Sequence, residues 1–169
     1  MTTVLLTDFA DPAELVRWRA VDDVVMGGSS RSRLVQLDAS VARFAGSVSL
    51  ENGGGFASVR TEPAHWPTAG AAALQLRCRG DGRAYKFTVR VDDGFDGLQY
   101  QARFLPPPGE WVTVTLPVTQ FSATFRGRPV PGSGPLPPER IRRLGLMASD
   151  RQGGSFTLDI DWIGCVATT

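Results

Sequence analysis

The chain of 169 residues has one histidine, His65, and two cysteines, Cys78 and Cys165. A serine or cysteine nucleophile needs a histidine as its base, and no Ser stands in a Gly-x-Ser-x-Gly elbow. His65 lies beside Trp66 between Pro63 and Pro67, which reads as a solvated loop residue. Two cysteines inside apolar runs make neither a disulfide framework nor a zinc set, so both are expected buried and reduced. Long apolar runs are missing too: nothing approaches the roughly 18 residues of a membrane span. Charge of one sign is missing, because 18 basic against 17 acidic residues leave a net +1. That excludes a general field for nucleic acid. Lysine is almost absent, Lys86 alone among the basic residues, which reads as coding bias. Met1-Thr-Thr-Val-Leu-Leu-Thr-Asp8 has neither a charged leader region nor an Arg- and Ser-rich transit composition. From these traits a bacterial, cytoplasmic protein is expected.

Glycine and proline are present in quantity, 19 and 12. They punctuate about ten runs in which apolar and polar residues alternate with the period of two that marks strands. Leu74, Leu76 and Cys78 oppose Gln75, Arg77 and Arg79. Tyr85, Phe87, Val89 and Val91 oppose Lys86, Thr88 and Arg90, and Tyr100, Ala102 and Phe104 oppose Gln99, Gln101 and Arg103. These three consecutive strands are expected to form half of a sandwich. At the end of the chain Phe156, Leu158, Ile160 and Trp162 share a face against Thr157, Asp159 and Asp161. Asp11-Pro12 starts one short helix, with Asp11 as its cap. The fold class is therefore all-β: a single antiparallel sandwich of jelly-roll type covering residues 1–169, with no internal repeat and no dividing linker.

Two stretches stand apart. Val21-Asp22-Asp23-Val24-Val25-Met26-Gly27-Gly28-Ser29-Ser30 and Glu51-Asn52-Gly53-Gly54-Gly55-Phe56-Ala57-Ser58-Val59-Arg60 each set carboxylate or amide groups beside a glycine run. Glycine and Asx residues are what sharp turns require, so the glycines are read as turns. The charged residues bordering them are read as a binding site: Asp22, Asp23, Asn52 and Arg60, joined by Arg126 and Gln152 from later turns. A planar guanidinium held by a carboxylate is the expected pairing. The glycine run matches neither a phosphate loop nor a dinucleotide fingerprint. No catalytic residue, metal or cofactor is assigned. Asp8, Asp159 and Asp161 are the alternative for calcium, and Trp66 is the loop aromatic of a sugar-binding alternative.

Trp18 with VDDVVMGGSS, then FAGSVSLENGGGFASVR, resembles the signature of the complex I intermediate-associated protein family. Tyr85-Lys86, Tyr100, Trp111, Leu116-Pro117, Phe121, Phe125-Arg126-Gly127 and Gln152-Gly153-Gly154 add matching points. The resemblance runs from about Phe9 to Ile163. It implies a fold similar to galactose-binding-like sandwiches, and it implies a non-enzymatic factor in the assembly of NADH:ubiquinone oxidoreductase. The implied partner is a respiratory-complex subunit or other client protein, and a carbohydrate ligand is the alternative.

Overall fold

The computed structural model describes residues 2–22, 29–51, 55–94, 97–149 and 152–167. Alternation becomes architecture directly: two antiparallel sheets face each other, and the inward residues of each meet between them. The strands are β1 (Thr3–Thr7), β2 (Trp18–Ala20), β3 (Arg31–Asp38), β4 (Val41–Val48), β5 (Ala57–Thr61), β6 (Ala71–Arg79) and β7 (Tyr85–Arg90). They continue with β8 (Gln99–Phe104), β9 (Trp111–Pro117), β10 (Ser122–Phe125), β11 (Arg128–Pro129), β12 (Arg143–Ala148) and β13 (Gly154–Ala167). One sheet runs β3-β4-β13-β6-β9, with β1 also on β13; the other runs β11-β10-β8-β7-β12-β5-β2. Between them Phe44, Leu74, Leu76, Tyr85, Phe87, Leu144, Leu146, Leu158 and Ile160 are fully buried. The helix α1 (Pro12–Val16) begins where expected, and the Asp11 carboxylate accepts the N–H of Ala13. Among the described residues no helix is long and apolar enough to cross a membrane.

Two expectations are corrected. β6, β7 and β8 do not lie in one sheet. β7 and β8 form a hairpin, but β6 pairs with β13 and β9 in the opposite sheet. Alternation states which side of a strand is apolar, not which strand lies next to it. The second correction is local. In the pairing of β13 with β6, Ile160 stands opposite Cys78 and Trp162 opposite Arg77, so Asp161 is an extra residue. Such a bulge shifts the inward phase by one. Phe156, Leu158 and Ile160 point inward before it, and Ile163 and Cys165 after it, while Trp162 is only half-buried.

The connections β2–β3, β4–β5, β6–β7, β8–β9 and β12–β13 emerge at one end of the sandwich, as the pairing registers require. Asp22 and Ser30 of the first stretch, and Glu51, Gly55 and Phe56 of the second, lie at this end before β3 and β5 begin.

Candidate functional site

Asp22 follows β2 and sits where the two sheets converge at that end. Its Oδ2 accepts the N–H of Ser32 at 3.0 Å, and its Oδ1 accepts the Ser32 hydroxyl at 2.5 Å and the N–H of Ser58 at 2.9 Å. Ser32 belongs to the six-stranded sheet and Ser58 to the seven-stranded one, so one carboxylate ties them together. The Ser58 hydroxyl in turn donates to the carbonyl of Val21. On its open side Asp22 borders a cleft of about 530 Å³, with Arg31, Arg33, Gly46, Ser155 and Thr157 along its walls.

Arg60 is placed differently. It lies on β5, on the outward face of the seven-stranded sheet, and is only 8% exposed. Register sets it between Arg19 of β2 and Gly145 of β12, and Gly145 faces Thr88 of β7. A side chain at 145 would stand 2.3 Å from the Thr88 hydroxyl and 3.3 Å from the Arg60 Cβ. The glycine therefore leaves only a shallow crevice, too narrow to hold a water molecule, lined by Arg60, Thr88, Arg90, Gln99 and Arg143. Burial, followed by the nearby charges of Arg90 and Arg143, brings the Arg60 guanidinium down to about 10; Glu62 and Asp92 pull the other way. Arg143 donates to the carbonyls of Thr61 at 3.2 Å and Asp93 at 3.0 Å. Arg90 donates to the carbonyl of Gly97 at 3.3 Å. The Asp93 carboxylate is held by Arg142, at 2.6 Å from its Nε. The crevice is a cationic, hydrogen-bonding surface on rigid strands.

Arg90 and Arg143 escape the sequence reading. Alternation puts Arg90 on a polar face with other arginines on such faces, and no pattern of alternation marks Arg143. Only the pairing of β7 with β12, which sets Arg90 opposite Arg143, singles them out.

The remaining expected residues scatter. Asp23 and Asn52 lie outside the described residues. Gln152 is exposed before β13, and its carbonyl accepts from Arg83, which also donates to the carbonyls of Gly153 and Ser155. Arg126 sits in the turn between β10 and β11, with φ of 50° followed by 80° at Gly127, and its guanidinium lies 5.3 Å from the Phe125 ring. That hairpin is four strands from β5 and turns at the opposite end of the sandwich from Asp22 and Gln152.

The alternative groups do not converge either. Asp159 is bonded by Arg43 and Arg79, Asp161 pairs with Arg77, and Asp8 accepts the N–H of Ala10. Trp66 is buried, donates its indole N–H to the carbonyl of Arg142 at 3.1 Å, and has the Arg17 guanidinium over its ring. Trp18 is buried, and Trp111 lies beneath Arg77 and Arg79. His65 is exposed. Burial pushes both thiols up, Cys78 to about 12.

The family model described as complex I intermediate-associated protein 30 matches residues 7–160. The mitochondrial complex I intermediate-associated protein 30 of Mus musculus is 36% identical over 95 residues, 54% of this chain and 29% of its own length. Its counterpart in Drosophila melanogaster is 23% identical over 96% of this chain and 62% of its own. That of Neurospora crassa is 28% identical over 84% and 58%. The chain thus spans roughly a third to three fifths of these relatives' lengths. In fold it is similar to the family 11 carbohydrate-binding module of a Clostridium thermocellum cellulase (TM-score 0.72, 15% identity, 99% of this chain and 96% of that one). The same module in complex with a mixed-linked tetrasaccharide gives a TM-score of 0.69 at 16% identity, over 98% and 96%. At that identity the likeness concerns the fold alone.

These relatives correct the expected location. They are named mitochondrial and come from a mammal, an insect and a fungus, so the cytoplasmic placement falls and the bacterial one has no support. Addresses reside in segments outside a packed sandwich. The first eight residues of a chain that spans only part of its relatives therefore do not decide location.

Proposed function

This chain belongs to the complex I intermediate-associated protein 30 family, and we propose from that membership that it is a non-enzymatic binding domain. On this reading it acts in the assembly of NADH:ubiquinone oxidoreductase and holds a protein client. Residues 1–169 work as one binding unit. The observation that carries the proposal is the family match over residues 7–160. The surface we assign to the client is the arginine crevice of the seven-stranded sheet, with Arg60 at its centre and Asp22 holding the adjoining end of the sandwich in shape. Asp23, Asn52 and Gln152 border that end in sequence and are proposed as its rim.

The physical support is the gathering of three guanidinium groups on one face of the sheet. A guanidinium kept buried beside two others is disfavoured by desolvation and by like charge. Residues held against such a cost cluster at functional sites. Proteins with acidic or carbonyl-rich surfaces are the natural complement of a guanidinium fork.

The test compares the intact chain with Arg60→Met. Assembly intermediates are separated on native gels and probed for complex I subunits. The unsubstituted chain is expected to co-migrate with an intermediate. Arg60→Met should stay folded and lose co-migration. No co-migration of the unsubstituted chain overturns the client; an unfolded Arg60→Met turns the residue from binding to stability.

The carbohydrate reading has the fold likeness behind it and little else. The loop tryptophan it relied on is buried, and Trp111 is covered by two arginines. A glycan array is expected to be blank.

A further inference from the structure

The six-stranded sheet ends in β9, and this edge is built unlike the others. β9 pairs with β6 over seven consecutive residues, from Ala73 opposite Pro117 to Arg79 opposite Trp111, without a register break. Among the described residues no backbone hydrogen bond reaches its far side. Sheet edges are normally blunted by shortness, charge, proline or bulges, because a flat edge is a template for another strand. The remaining edges follow that rule. β1, paired with β13 alone, is uncharged but has five residues and a register break between Leu5 and Thr7. β11 has two residues and ends in Pro129, and β2 has three residues. β3 carries Arg31, Arg33 and Asp38, has a register break between Gln36 and Asp38, and has its Ser32 N–H taken by Asp22. β9 has no charged residue and no bulge, and its proline is the last residue.

We infer that β9 is a self-association edge, on which two copies of this chain pair antiparallel about Val114 and join their six-stranded sheets into one. The strand reads nearly the same in both directions: Trp111-Val112-Thr113-Val114-Thr115-Leu116-Pro117. A two-fold axis at Val114 sets Thr113 against Thr115, Val112 against Leu116 and Trp111 against Pro117. Every opposed pair is then uncharged and matched in polarity, on both faces of the sheet. Thr113 and Thr115 are exposed on the outward face. Val112 and Val114 point toward the core yet remain half-exposed, so the sandwich is open along this edge and a second copy closes it. Isologous pairing of this kind closes on itself as a dimer. The orientation of Trp111 is set in advance, since the guanidinium groups of Arg77 and Arg79 lie 5.7 and 4.8 Å from its ring centre.

The experiment is sedimentation equilibrium of the intact chain over a wide concentration range. The mass is expected to double from 18.2 kDa as concentration rises. In T113K/T115K two like-charged pairs face each other, and the dissociation constant should rise about tenfold or more. T113E/T115E should behave likewise, and mixing the two variants should restore a dimer. Thr113 stands opposite Arg77 and Thr115 accepts a hydrogen bond from Gln75, so T113K/T115K should melt slightly below the parent and T113E/T115E near it, both staying folded. If either unfolds, amide exchange along β9 in the unsubstituted chain decides: protection that rises with concentration supports the pairing. Monomers at every concentration, an undiminished dimer in T113K/T115K, failure of the mixture to re-pair, or concentration-independent β9 exchange would each overturn it. A monomer that gains β9 protection from an extended peptide would give the edge to a different occupant.

Discussion

Asp159 is 2% exposed and gathers two arginines. Arg43 donates through Nε at 2.7 Å and Nη2 at 3.2 Å, and Arg79 through Nε at 3.1 Å and Nη2 at 2.8 Å. Burial alone would push this carboxyl up; the hydrogen bonds and charges of the two arginines reverse that and hold it below the usual carboxylate range. A carboxyl depressed in the folded chain contributes stability above its unfolded value of about 3.9, and that contribution is lost as pH falls toward the folded value. Asp159→Asn is expected to cost about 3 kcal/mol at neutral pH, the lower part of the range for breaking a buried pair, because each arginine stays about a third exposed. In urea titrations the gap to the parent should narrow steadily below about pH 4; parallel pH profiles would rule the pairing out as its source. Asp22 is the second decisive carboxylate. Asp22→Ala leaves the Ser32 and Ser58 amides without their acceptor and should cost about 1–3 kcal/mol, read from the denaturation midpoint. That Asp22 borders a glycine-bearing stretch was legible in the sequence. Its partners were not, since they stand 10 and 36 residues further along the chain.

At the scale of elements, two glycines set strand spacing. A Cβ on Gly46 would lie 2.0 Å from the carbonyl oxygen of Arg31, and one on Gly145 would lie 2.3 Å from the Thr88 hydroxyl. Glycine within a strand often marks such close approach. Both alanine substitutions are expected to destabilise by about 1–3 kcal/mol. They should differ in a double-mutant cycle. Thr88→Ala removes the atom that Gly145→Ala strikes, so that pair should cost less than the sum of its single changes. Gly46→Ala strikes backbone, and Thr88→Ala should add to it independently. A strictly additive Gly145/Thr88 pair would show that the clash is relieved elsewhere. Strand positions and inward faces were largely visible in the sequence, because burial of one face imposes the period of two. The bulge at Asp161 was not, since an inserted residue leaves composition and local polarity unchanged and shows only against β6.

For the whole molecule, the closed core controls thiol chemistry. Cys78 is fully buried on β6 and its thiol is pushed up to about 12 by burial, only slightly offset by the charge of Arg77. At pH 8 about one thiol in ten thousand would be ionised. Alkylation of Cys78 should therefore follow global unfolding and accelerate in step with denaturant; fast labelling of the native chain would contradict a sealed core. The sequence by itself determined the strand-rich class, the helix cap at Asp11, the apolar face of nearly every strand and membership in a family marked by two glycine-bearing stretches. Each of these depends on neighbours a few residues apart, where periodicity, turn chemistry and capping act. The tertiary structure alone decided that β6 crosses to the other sheet, that Arg126 turns away from Asp22, and that Arg60, Arg90 and Arg143 meet across a crevice floored by Gly145. Those outcomes depend on which strands pair, and pairing is settled by closing the whole core at once, among strands whose own patterns are nearly interchangeable.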